Sequence, residues 1–176
     1  MEGSRGLGDV YKRQGRNHRF VFATKNIENL KGIPEEDWQY GENASWLYYL
    51  FPNVQLGGGG HDANLIKIYP DPKNPGRSIT KVNHYFSQEF IDYVSQVPDD
   101  GKSAYDKDRN PSLDGVVEVF DTTIEQEDYL MGETTQKSAE TGIVKEFIFG
   151  RNEPALHHYH NTFREALNLP PLEKVG

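Results

Sequence analysis

At Ser112 the spacing of apolar residues changes, and that change restricts the fold more than any other feature of the chain. Before it, aromatic and β-branched residues come in short runs separated by Gly and Pro. After it, Leu113, Val116, Val117, Phe120 and Ile124 fall three and four apart, the spacing of one helix face. Strands first and helices second is the element order of an α+β fold.

The strand signals are local. Arg19 to Thr24 (RFVFAT) suits a short strand. Ser45 to Leu56 (SWLYYLFPNVQL) is the strongest signal, with Trp46, Tyr48 and Leu50 facing one way and Leu47, Tyr49 and Phe51 the other. Pro52 demands an edge position or a bulge there. Gly57 to Gly60 reads as a flexible loop. Asn64 to Tyr69 and Ser78 to Phe86 come next as strands, and the short turns between them imply an antiparallel meander. Pro34 followed by Glu35, Glu36 and Asp37 opens a short helix within Lys25 to Trp38. Pro98 to Pro111 is a polar, exposed loop.

The helical period runs from Ser112 to about Ala139, with Asp121 to Thr123 as an interruption, Thr123 and Gln126 as a second start, and Gly142 as the stop. Ile143 to Phe149 (IVKEFIF) reads as a further strand, and Glu153 to Asn168 as a last helix ended by Pro170 and Pro171. The expected architecture is an antiparallel sheet with a long helix packed across it. Met1 to Gln14 fits neither template and reads as a foreign leader, a scar or a disordered N-terminus, leaving one domain over 15–176.

Bulk chemistry excludes several function classes. The net charge of -8 disfavours nucleic acid or an anionic membrane as partner. The absence of Cys excludes disulfides and any cysteine-held cluster within this chain. No apolar run has the roughly 20 residues of a membrane helix. A soluble cytoplasmic protein is the expectation.

Few residues carry chemistry. Continuing the apolar stripe beyond Ile124 brings Asp128, then Met131, onto the same face. A carboxylate there needs a metal, an arginine or backbone donors. In the alternative, the helix breaks near Thr123 and Asp128 joins Glu125 and Glu127 on a solvated face. His157 and His160, with Glu153 four before His157, have spacing that could share a metal, although packing or surface histidines are commoner. His18, His61 and His84 stand alone.

In order along the chain, GRNHRFVFATKNIENL, PEEDWQYG, WLYYLFPNVQL, IKIYPDP, EQEDYLMGETTQKSAETG and GRNEPALHHYHNTFREAL resemble the C-terminal catalytic domain of Rieske non-haem iron ring-hydroxylating oxygenase α subunits. The resemblance covers nearly everything after Gly15. It implies a START-like helix-grip fold and a mononuclear Fe(II) held by two histidines and one aspartate. By motif match the aspartate is Asp128, five before Glu133, and it would face inward; Glu133 and Gln136 would be structural. The resemblance further implies an apolar pocket, for which Tyr48, Leu50, Ile66, Ile68, Val82, Phe86, Ile124 and Met131 are the candidates.

The resemblance also implies partners. These are O2, a small apolar or aromatic substrate, and electrons from NAD(P)H through a reductase or ferredoxin and a 2Fe-2S cluster. The whole enzyme would be a homotrimer or hetero-oligomer. The family's His-x4-His segment and its Rieske domain have no counterpart in this chain. The expectation is therefore a truncated catalytic domain that is inactive alone. The alternatives are a START-like module binding an apolar small molecule without metal, and a metal hydrolase built on His157, His160 and Glu153.

Overall fold

The computed structural model describes residues 10–37 and 41–174. These divide into two compact units, Met1–Tyr85 with Ile148–Gly176, and Phe86–Phe147. Most of the expected leader, and Trp38 with its neighbours, lie outside the described residues.

The first unit is built on a six-stranded sheet in the order of the sequence: β1 (Val10–Gln14), β2 (Asn17–Ala23), β3 (Ala44–Leu50), β4 (Val54–Gly59), β5 (Asp62–Asp71) and β6 (Asn74–Phe86). The pairs from β1 to β5 are antiparallel, so the sheet is the expected meander. Two of its reversals are two-residue turns that begin with a glycine at positive φ, Gly15 (57°) and Gly60 (59°), where a Cβ would be strained.

Several sequence expectations change here. Val10–Gln14, expected in the leader, forms β1 and pairs residue by residue with Asn17–Val21. The run from Ser45 to Leu56 is a hairpin rather than one strand: the chain reverses at Phe51–Asn53, and Leu50 pairs with Val54. Pro52 sits in that reversal, where its missing N–H costs no ladder bond. Gly57 to Gly59 are strand, not loop. A Cβ on Gly58 would lie 2.6 Å from the Asp62 carbonyl oxygen and 2.9 Å from the Trp46 ring, so glycine is what lets these strands and the indole come together.

A helix, α4 (Pro154–Ala166), lies on this sheet. Proline at its start and Asn168 at φ 56° after its end mark both limits. Its aromatic residues meet one sheet face: His158 against His18, Tyr159 against Tyr49, and Phe163 against Phe51, with ring centroids 5.0–5.6 Å apart. The antiparallel sheet with a helix packed on it agrees with the expected α+β, helix-grip-like class, but the helix that packs here is the expected last helix, α4, and not the long helix that starts near Ser112. Tyr49, Ile66, His18 and Asn64 are buried on that face, and Thr162 is the buried residue of α4.

The second unit is helical. It opens with a short helix that the sequence pattern does not announce, α1 (Gln88–Val94); Ser87 caps it by accepting from the Phe90 amide at 3.2 Å. The next loop is tied internally, with the Asn110 amide donating to Asp100 at 2.9 Å and Lys102 paired with Asp108 at 2.7 Å. Then come α2 (Leu113–Thr123), a six-residue π turn (Ile124–Tyr129) and α3 (Leu130–Glu140). The expected interruption at Asp121 to Thr123 is absent: Thr123 has helical backbone angles, and its hydroxyl donates to the Val119 carbonyl at 2.8 Å rather than capping a new helix. Ile143 to Phe149 forms no strand. It enters no strand ladder, and Ile143 and Ile148 are 82% and 76% exposed, so β propensity alone did not suffice. No helix among the described residues is long and apolar enough to cross a membrane.

Candidate functional site

The pairing of β2, β3 and β4 decides which side chains share a face. His18 opposes Tyr49, Phe20 opposes Leu47, and Tyr49 opposes Gln55. These five residues point toward α4 and enclose, with Ala155, Leu156, Tyr159 and His160, a cavity of about 300 Å³. Its walls are aromatic and aliphatic. His18 stacks on Tyr49 with centroids 5.0 Å apart and planes at 22°, and Tyr159 meets Tyr49 edge-on at 5.0 Å.

The electrostatics keep this cavity neutral. Burial lowers the pKa of His18, and the nearby His158 lowers it further. Burial also lowers His158 and His160, helped by Arg13 and Arg164 respectively. Burial pushes the Tyr49 phenol above its ordinary range, with Tyr159 adding to the shift, and its hydroxyl donates to the Pro52 carbonyl. His18 Nδ1 and His158 Nε2 are buried without a hydrogen-bond partner. The arrangement can hold a neutral aromatic ring; no carboxylate or amine lines it.

The pocket candidates from the sequence fall elsewhere. Tyr48 and Leu50 lie on the opposite sheet face, where Arg19 donates to the Tyr48 hydroxyl at 3.1 Å. Ile66 pairs with Gln55, so it and Ile68 share the α4 face without lining the cavity. Phe86 packs on Phe90 at 6.0 Å, Val82 lies in β6, Ile124 opens the π turn, and Met131 is 65% exposed. Alternation along β3 separates two faces but does not say which one a helix covers, so it cannot single out Leu47 and Tyr49.

Asp128 is the fifth residue of the π turn and is exposed. The apolar stripe of α2 does not reach it, because a π turn holds an extra residue and rotates the helix beyond it. Such turns recur at functional sites. Glu133 pairs with Lys137 at 4.0 Å and Gln136 with Glu140 at 2.9 Å, both on the surface of α3.

Among the described residues, no group of three or more His, Cys, Asp and Glu side chains could hold a metal. The residues present therefore do not by themselves fit a mononuclear iron site. The hydrolase alternative fails on geometry: His160 stacks on Phe149 at 4.7 Å, and Glu153 turns back to accept from the Gly150 amide.

A second cavity, of about 520 Å³, lies in the other unit at the start of α2. Arg109 and Ser112 border it, and Arg109 donates to Ser112 Oγ at 3.0 Å.

No curated protein and no solved structure matches the chain. Residues 8–169 match the family described as ring hydroxylating alpha subunit, catalytic domain, a span that takes in β1, the aromatic cavity and Asp128. The chain belongs to the catalytic domains of ring-hydroxylating α subunits.

Proposed function

We propose that this chain is the C-terminal part of the catalytic domain of a Rieske-type oxygenase. The whole enzyme hydroxylates an aromatic or other apolar compound with O2, using electrons from NAD(P)H relayed by a reductase and a 2Fe-2S cluster. The observation that carries this reading is the family match over residues 8–169. Asp128 supplies the carboxylate of a mononuclear Fe(II) site whose two histidines come from sequence outside this chain. Iron held there supplies the oxygen chemistry. One carboxylate on an exposed turn is too few ligands to retain it, so the chain alone is inactive.

What the chain itself contributes is the ring site. The cavity under α4 is walled by Phe20, Leu47, Tyr49, Leu156 and Tyr159, and it presents neutral imidazole rather than charge. An apolar ring gains by leaving water for such walls.

The test joins this chain to the coding sequence that precedes it and loads the product anaerobically with Fe(II). Asp128→Ala is expected to lose the mononuclear iron while the cluster's visible absorption is unchanged. Retention of the mononuclear iron by the variant would remove Asp128 from the site. The cavity also favours a second reading, a metal-free module for an apolar small molecule. It takes over if the preceding sequence encodes no Cys-x-His and no His-x4-His.

A further inference from the structure

We infer that the chain pairs with a second copy of itself through the strip from Ile143 to Ile148, the two strips running antiparallel with Lys145 of each opposite Glu146 of the other. The inference stands apart from the ring site and does not depend on it.

The strip is a strand in composition only. Its residues, Ile-Val-Lys-Glu-Phe-Ile, are β-branched, aromatic or charged, with no Gly or Pro among them. Gly142 at φ 67° closes the helical stretch before it, and Phe149 after it stacks on His160 at 4.7 Å. Between these limits the strip enters no strand ladder, and every residue of it is exposed. Val144 and Phe147 are 44% and 58% exposed, alongside the still more exposed Ile143 and Ile148. In an extended segment successive side chains point to opposite sides, so Ile143 and Phe147 stand on one side and Val144 and Ile148 on the other. A neighbouring strand gives apolar contacts to both sides at once and accepts the backbone hydrogen bonds that a free edge offers.

Charge selects the partner and its direction. Among the described residues, Lys145 and Glu146 have no ion-pair partner. A parallel, in-register copy would set Lys145 against Lys145 and Glu146 against Glu146. Antiparallel pairing has a register that avoids this: Ile143 opposite Ile148, Val144 opposite Phe147, and Lys145 opposite Glu146. A slip of one residue puts Lys145 on Lys145 in one direction and Glu146 on Glu146 in the other. Opposite charges and apolar groups facing across strands stabilise a pair, and like charges destabilise it. The strip is therefore complementary to itself, which a two-fold contact between identical chains requires. With a net charge of -8 on each chain, two copies repel unless the contact carries its own compensation, and this one does.

The experiment is sedimentation velocity of the 176-residue chain over a concentration series at low salt, where exposed charges are least screened. It is repeated for Lys145→Glu, for Glu146→Lys, for the double variant, and for an equimolar mixture of the two single variants. Wild type is expected to show a reversible monomer–dimer equilibrium. Each single substitution turns two opposite-charge contacts per dimer into two like-charge contacts and should weaken the dimer about tenfold. The double variant should recover it, because the charges are only exchanged. The mixture should associate more tightly than either variant alone, because every Glu then faces a Lys. Both side chains are exposed, so the variants should keep the fold, which far-UV circular dichroism checks. A wild type that stays monomeric at every concentration would overturn the inference, whatever the variants do. So would dimers that neither single substitution weakens, or a mixture no tighter than its components; these would place the contact elsewhere, such as the edge strand β6.

Discussion

Gly58→Ala tests whether the glycine run is strand or loop. In an exposed loop, alanine is tolerated or mildly stabilising. Within a strand, replacing glycine by alanine ordinarily gains about 0.5–1 kcal/mol through backbone entropy. At Gly58 the added carbon would lie 2.6 Å from the Asp62 carbonyl oxygen and 3.0 Å from Ala63 Cα. Both belong to the backbone of β5 and cannot rotate away. The Trp46 ring at 2.9 Å closes the remaining side. Overpacking of this kind costs roughly 1–3 kcal/mol and more where backbone must move, so the net loss should be about 2 kcal/mol. Gly57 is the internal control. Its nearest obstacle is Leu47 Cδ1 at 3.3 Å, the tip of a side chain that can shift, so Gly57→Ala should lie within about 0.5 kcal/mol of wild type.

Urea unfolding followed by far-UV circular dichroism reads both variants. With a denaturant slope of about 2 kcal/mol per molar, Gly58→Ala should move the midpoint down by about 1 M and Gly57→Ala hardly at all. Equal midpoints for the two variants would refute the pairing of Trp46 with Gly58, and with it the register that places Leu47 and Tyr49 on the cavity face.

The same structure gives three further outcomes. His18, His158 and His160 all have folded pKa values below the ordinary imidazole value, chiefly through burial, so the unfolded chain binds their protons first; stability from these residues is complete above about pH 6.5 and falls as pH drops through the folded values, and a melting temperature that is flat or rises between pH 7 and 5 would contradict this. Ser112→Ala removes an acceptor used by the Gly115 amide at 3.1 Å and by Arg109 Nη2 at 3.0 Å, so the start of α2 should lose about 1–2 kcal/mol of protection in hydrogen exchange, which Ser112→Thr should largely restore. Asp128→Asn in the isolated chain touches an exposed side chain on a turn and should change stability by less than about 0.5 kcal/mol, measured by the same urea unfolding.

How much of the structure is legible in the sequence depends on how local each signal is. Asn64 to Tyr69, the start of α2 at Ser112 and the helix after Glu153 each carry their own periodicity and stop signals, and each is where the sequence put it. The reversal at Phe51–Asn53 interrupts an apolar run whose alternation continues on both sides, so only the pairing of Leu50 with Val54 reveals it. β1 carries Lys12 and Arg13 at the sheet edge, a composition that blocks edge-to-edge association and also hides the strand from a hydrophobic pattern. Asp128 is marked by its motif, and its π turn has no signature in the spacing of apolar residues. The cavity is hidden for a different reason. Its wall is set by which face of β3 receives α4, a contact between residues more than a hundred positions apart, such as Tyr49 with Tyr159.

These two kinds of signal correspond to two different functional parts. The aromatic cavity is preorganised: His18, Tyr49 and Tyr159 hold one another by ring contacts, and strand pairing fixes their spacing. Asp128 is not. It sits in a segment, from Glu125 through Ile148, in which every residue is exposed, and α3 has no buried face to fix its rotation. A helix that is polar on all sides relies on pairs such as Glu133 with Lys137 or on contacts made elsewhere. Metal affinity depends on several ligands held in one geometry, and a lone exposed carboxylate supplies none of that constraint. Under the proposed function, ring binding should therefore be retained by this chain alone, while iron binding should appear only when sequence carrying the two histidines is joined to it. Observing the reverse, iron retained and ring binding lost, would separate the cavity from the chemistry and undo the assignment of both.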